Sequence, residues 1–154
     1  MSKDDGLADV ELALQKAQAE ILKKDVAPIV EKILKRHIKT DIYDAYTPQE
    51  NAWVGGETYK RRHSLQKNIT SKILPDGSLL VTSTAYANKA IAVPTGFSFY
   101  DMEVGGFLHM LEDGHMGIWK SGFPRPAVSN AQKETDESAE VRAAIEKGIQ
   151  RIFK

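Results

Sequence analysis

A chain of 154 residues with 42% apolar and 27% charged side chains is long enough to bury a core and too apolar to remain disordered. Its 21 Lys and Arg balance its 21 Asp and Glu, which argues against a dedicated nucleic-acid binder and against electrostatic attachment to an anionic membrane, since both draw affinity from a cationic surplus. With no cysteine, disulfides, thiolate nucleophiles and Cys-based metal sites are excluded.

No run approaches the ~20 apolar residues that span a bilayer. The start, Met1 to Gly6, is charged and has no apolar segment of signal-peptide type behind it. The expectation is a single domain over residues 1–154, made and folded in a cytoplasm.

Residues 7–42 read as a helical arm. Val26, Ile29, Val30, Ile33, Leu34, His37 and Ile38 recur at three- and four-residue spacing and line one face. Leu7, Val10, Leu14, Ala17 and Ile21 repeat the pattern upstream. Pro28 stands between the two stretches and removes one backbone hydrogen bond, so the spacing predicts either two helices or one long helix kinked there. Asp25 is placed to cap the second half.

From 43 to 64 the period is lost. Tyr43, Tyr46, Pro48, Trp53 and Gly55-Gly56 read as an irregular aromatic loop. A hairpin follows: Ile69, Ser71 and Ile73 alternate with Thr70 and Lys72, Pro75-Asp76-Gly77 supplies the turn, and Leu79 to Thr84 returns with Thr and Ser expected on its solvent face. Residues 85–107 read as a loop or second hairpin with an exposed aromatic tip. Phe107 to Glu112 reads as a short strand or helical turn, and 127–153 as a helix with a break near Asp136-Glu137-Ser138. The order gives an α+β class: a long N-terminal helix, a small antiparallel β-sheet with a hairpin within a β core over 60–123, and a C-terminal helix.

Chemistry-bearing clusters are few. His109, Glu112, Asp113 and His115 place two imidazoles and two carboxylates in seven residues, but the six-residue gap between the histidines shares no helix face and fits no zinc spacing. Tight-turn hydrogen bonding by Glu112 and Asp113 is the plainer account. His37 on the apolar face is expected to be a packing residue with one bonded nitrogen. Lys60-Arg61-Arg62-His63 is a basic cluster that suits a solvated patch better than a phosphate site. No phosphate loop or nucleophile elbow is present, and no cofactor is expected. Aromatic residues gather outside the helices, among them Trp53, Phe97, Phe99, Tyr100 and Trp119, where they suit core plugs and interfaces equally.

Three short landmarks occur in order. Arg61 to Ile69 is similar to an Arg-Thr-Gly-x-Leu-x-x-Ser-Ile stretch, with Leu65 and Ile69 matching in kind, Asn68 in place of Ser, and the Thr-Gly pair absent. Leu111-Glu112-Asp113-Gly114 is similar to Val-Glu-x-Gly, displaced by an inserted segment over 88–107. Pro124-Arg125-Pro126 is similar to a Pro-Arg-Pro before a last helix. Residues 59–135 thereby resemble the tail-completion or head–tail joining (neck, minor tail) proteins of tailed bacteriophages.

The resemblance implies a non-enzymatic virion protein of the neck, acting as a subunit of a homo-oligomeric ring and assembled in the host cytoplasm. The implied partners are copies of itself, a head-completion or connector protein, and a tail terminator or tail tube protein. Double-stranded DNA would pass through the channel without sequence-specific contacts, and no membrane is involved. Arg61, Arg62, Glu112, Arg125, Phe97, Phe99, Tyr100 and Trp119 are the implied subunit-interface residues. Arg125, held between two prolines, is suited to clamp Glu112 or a neighbouring subunit. Two other classes stay open: a small metal-dependent hydrolase using His109, Glu112 and His115, and a cytoplasmic adaptor binding a peptide along its sheet edge.

Overall fold

The computed structural model describes residues 3–45, 53–54, 57–58, 63–85, 106–113 and 124–154. It is the α+β arrangement the sequence predicts, with a long N-terminal helix, an antiparallel hairpin and a helical C-terminus.

The N-terminal stretch stays helical throughout. Helix α1 spans Lys3–Ile21, a π-helical segment covers Leu22–Val26, α2 spans Ala27–His37, and a second π-helical segment runs over Ile38–Tyr43. Pro28 does not divide it. The proline sits in the first turn of α2, and the wider π turn before it carries the bond from Ala27 N–H to the Leu22 carbonyl five residues back. A π turn relieves the crowding that a proline ring imposes on the preceding turn, so the chain passes Pro28 without breaking. Asp25 consequently caps nothing, because no side chain caps α2. Its carboxylate accepts from Arg151 Nη2 at 2.6 Å instead.

Within the stretch read as irregular, Trp53–Val54 (β1) and Glu57–Thr58 (β2) pair antiparallel, Trp53 with Thr58 and Val54 with Glu57. A short helix α3 (Ser64–Lys67) then leads into β3 (Ile69–Ile73) and β4 (Leu79–Ser83), antiparallel from Ile69↔Ser83 to Ile73↔Leu79. Gly77 takes φ +83° in the turn, a conformation that glycine adopts without penalty. The Asp76 carboxylate accepts from Ser78 N–H at 2.9 Å and closes an Asx turn. The Ser78 hydroxyl, donating to the same oxygen at 2.6 Å, and then the N–H bond hold the Asp76 carboxyl below its ordinary range.

The end of β4 departs from the expectation. Thr82 and Ser83 are buried, Ser83 at 1% exposure, rather than on a solvent face. Ser83 Oγ donates to the Leu65 carbonyl at 2.9 Å and accepts from Ala85 N–H at 3.3 Å. A hydroxyl that answers two backbone groups is tolerated where an unpaired one is not.

Phe107–Glu112 resolves as helical, within α4 (Gly106–Glu112). The C-terminal helix divides at Ser138 into α5 (Ala127–Glu137) and α6 (Ala139–Ile152). Ser138 is extended (φ −70°, ψ 118°), and its side chain accepts from Val141 N–H at 3.2 Å, an ordinary N-cap. The core forms where α2 lies against α5 and the β3–β4 hairpin. Ile38 and Leu108 are its most buried large side chains, joined by Ile33, Leu34, Leu65, Leu111, Ala127, Ala131 and Val141.

Gly148 decides how closely α6 meets the N-terminal helix. A Cβ there would lie 2.8 Å from Ile21 Cγ2 and 2.9 Å from Asp25 Oδ2, so only hydrogen fits. Arg151, one turn on, donates to Glu20 and Asp25 at 2.6 Å each. Those bonds push the guanidinium pKa up, and the bond from Arg151 pulls the Glu20 carboxyl down.

Candidate functional site

Of the implied interface residues, the described part of the structure contains Glu112 and Arg125. Arg61, Arg62, Phe97, Phe99, Tyr100 and Trp119 lie outside the described residues, as do the inserted segment up to Gly105 and His115. Arg125 is buried at 7% exposure. Its N–H donates to the Leu111 carbonyl at 2.9 Å, which ties the Pro124-Arg125-Pro126 segment to the end of α4.

Glu112 does work that its motif only hinted at. Its carboxylate accepts from Val128 N–H and Ser129 N–H at 2.9 Å each, and from the Ser129 hydroxyl. Pro126 precedes α5 and offers no side-chain cap. The unpaired N–H groups of the first turn are therefore met by a carboxylate sixteen residues back in the chain. A negative charge at the positive end of a helix dipole is the favourable placement. Glu112, as a metal ligand beside His109 and His115, would have to give up these bonds. Among the described residues no group of three or more His, Asp or Glu side chains is placed to hold a metal ion.

A second polar cluster joins the N-terminal helices to α5. His37 was expected to bond through one nitrogen, but both are engaged: Nδ1 lies 2.8 Å from Asp41 Oδ2, and Nε2 lies 2.7 Å from Glu134 Oε2. Arg36 donates to the other Glu134 oxygen, and Asn130 Nδ2 donates to Asp41 at 3.0 Å.

Burial of the Asp41 carboxyl pushes its pKa up, but hydrogen bonds from Asn130, His37 and Thr40 outweigh this and hold it below the usual range. Glu134 is likewise lowered, first by the Arg36 bond and then by His37. An open depression of about 350 Å³ adjoins the cluster, lined by His37, Asn130, Lys133, Glu134, Glu137 and Ser138. With both ring nitrogens engaged by carboxylates, His37 joins α2 to α5.

The third feature is apolar. Residues 6–16 of α1 are all exposed, although they include Leu7 (70% exposed), Val10, Leu12 and Leu14. Ile149 and Phe153 (60% exposed) are bared on the C-terminal side. Between them lies an open apolar groove of about 400 Å³, lined by Leu14, Ala17, Ile21, Ile145, Ile149 and Phe153 among others. Contiguous bare apolar surface marks an interaction site more often than it marks waste. The sequence showed the helical spacing of Leu7, Val10 and Leu14; it did not show that this part of the stripe faces solvent. No described helix is long and apolar enough to cross a membrane.

No curated protein and no solved structure matches the chain. The YomN family model does match, over residues 6–151, from the first turns of α1 to the last turn of α6. The family name is of phage type and suggests a phage-associated protein. A match over nearly the whole length places this chain in the YomN family.

Proposed function

We propose that the protein is a non-enzymatic structural component of a tailed-phage virion, a subunit of a homo-oligomeric ring at the neck that joins the head connector to the tail. The observation that carries this reading is the bare apolar surface of α1 and α6. A monomer gains nothing from exposing Leu7, Val10, Leu14, Ile149 and Phe153, whereas a subunit needs such a surface to meet its neighbours. Family membership and the ordered landmarks at 61–69, 111–114 and 124–126 supply the phage context. The balanced charge suits a channel through which DNA slides, since a cationic lining would hold it.

Cyclic assembly uses heterologous contacts, one patch against a different patch next door. A head-completion or connector protein and a tail terminator or tail tube protein would then meet the two faces of the ring.

The test is a phage lysate in which this gene is silenced, viewed by electron microscopy, with mass spectrometry of purified wild-type particles. The expected result is separate heads and tails in the silenced lysate, and a fixed copy number of the polypeptide in wild-type particles. Joined, infectious particles that lack the polypeptide would refute the proposal.

A further inference from the structure

The exposed stripe and the apolar groove lie on the same chain but cannot satisfy each other. Leu7, Val10 and Leu14 run in register into Ala17 and Ile21 along one helix. Ile21 is buried against Gly148, whereas Leu7 and Val10 stand clear of the subunit. Helix α1 is continuous from Lys3 to Ile21, so its first turns cannot fold back into a groove that its own last turns help to form. The occupant must come from another molecule.

Charge and length indicate which one. Residues 3–16 carry Asp4, Asp5, Asp9 and Glu11 against Lys3 and Lys16, a net acidic arm. Residues 139–154 carry Arg142, Lys147, Arg151 and Lys154 against Glu140 and Glu146, a net basic surface. Arg151 is held by Glu20 and Asp25. Arg142, Lys147 and Lys154 have no ion-pair partner among the described residues.

Helix α6 has 14 residues and is about 21 Å long at 1.5 Å per residue, the same length as residues 3–16 of α1. Two acidic arms set side by side would repel each other, whereas an acidic arm laid in the apolar groove beside the net basic α6 is matched in sign.

We propose that residues 3–16 of one copy lie in the α1–α6 groove of a second copy, head to tail, with Leu7 and Val10 covering Ile149 and Phe153. This rests on the ring reading above and specifies its contact. Each subunit then has one arm to give and one groove to fill: passed on from subunit to subunit the contact is heterologous and can close a ring, whereas two copies exchanging arms would make a two-fold dimer.

Two double variants test it: Leu7→Glu with Val10→Glu on the arm, and Ile149→Glu with Phe153→Glu on the groove. All four side chains are exposed, so unchanged circular dichroism is expected for both proteins. Light scattering should find wild-type chain as a closed oligomer of more than two copies and each variant alone as a monomer; a wild-type dimer would mean that two copies exchange arms and would overturn the head-to-tail contact. A mixture of the two should stop at a one-to-one dimer, because the arm variant's intact groove receives the groove variant's intact arm.

If both variants assemble like wild type, the contact lies elsewhere and the proposal is overturned while the ring reading stands. If the groove variant alone still dimerises, the arms pair with each other and the head-to-tail contact is wrong. If the wild-type chain is monomeric at every concentration, the contact and the ring reading fall together. Arg142→Glu, which removes no apolar contact, guards against a double variant that misfolds. It should weaken assembly and its salt dependence, and unchanged assembly would count against the charge match.

Discussion

Gly148→Ala sets two well-understood effects against each other. In an exposed helix interior the substitution stabilises by about 0.5–1 kcal/mol, because alanine loses less backbone freedom on folding. Here the added methyl would sit 2.8 Å from Ile21 Cγ2, 3.0 Å from Ile21 Cγ1 and 2.9 Å from Asp25 Oδ2. Ile21 is buried and branched, and Asp25 is held at 2.6 Å by Arg151, so neither can swing aside freely. Forcing a methyl into a packed contact costs about 1–3 kcal/mol. Loosening the Asp25–Arg151 pair would add to that cost.

The clash should win by about 1–2 kcal/mol, which in a domain of this size lowers the melting temperature by roughly 2–8 °C. Gly6→Ala is the control, since a Cβ at Gly6 meets nothing within 4 Å. It should leave the melting temperature unchanged or raise it slightly. Urea and thermal unfolding, followed by far-ultraviolet circular dichroism, read both variants. A Gly148→Ala protein as stable as wild type, or more stable, would refute the claim that α6 packs against α1 through bare backbone.

Three further outcomes are expected. Ser83→Ala removes the donor to the buried Leu65 carbonyl and the acceptor of Ala85 N–H. It should cost about 1–3 kcal/mol in urea unfolding, and a neutral result would mean that the hydroxyl is not needed there. Glu112→Gln keeps the side-chain length but loses the charge and one acceptor oxygen at the start of α5. It should cost about 1–2 kcal/mol and raise hydrogen exchange at Val128 and Ser129, whereas unchanged protection would count against the cap.

The last outcome concerns acid. The Asp41 and Glu134 carboxyls sit below their ordinary values of 3.8 and 4.5 in the folded chain. The stability they contribute is therefore fully present above those values and is lost as pH falls through the lower, folded ones. The urea midpoint should begin to drop as pH approaches 4.5 and should drop less steeply in Asp41→Asn with Glu134→Gln. An identical acid slope in that double variant would show that the cluster is not linked to folding.

Local spacing made much of the fold legible. Val26, Ile33, Leu34 and Ile38 were marked as a core face by periodicity alone, and all four are buried. Pro75-Asp76-Gly77 marked the hairpin turn because few residue types adopt its backbone angles. The break expected near Asp136-Glu137-Ser138 falls at Ser138, between α5 and α6. The β1–β2 pair left a trace in the Gly55-Gly56 dipeptide between Val54 and Glu57, a usual two-residue hairpin signal.

What a residue does with its polar atoms was settled by distant chain. Asp25 has the chemistry of a cap, and only the arrival of Arg151 from the other end of the chain turned it into an ion-pair partner. His37 shows its Asp41 bond in an i,i+4 spacing, but its second carboxylate, Glu134, comes from α5. Ser83 looked solvent-facing by composition, and the Leu65 carbonyl opposite it made burial affordable. The apolar stripe of α1 is the sharpest case. Its residues identify a helix with one greasy side, but whether that side meets a core or open solvent depends on where α6 ends beside it. Backbone preference and periodicity act over a few residues and can be read in one dimension. Partner choice and exposure are decided by which segments meet in space.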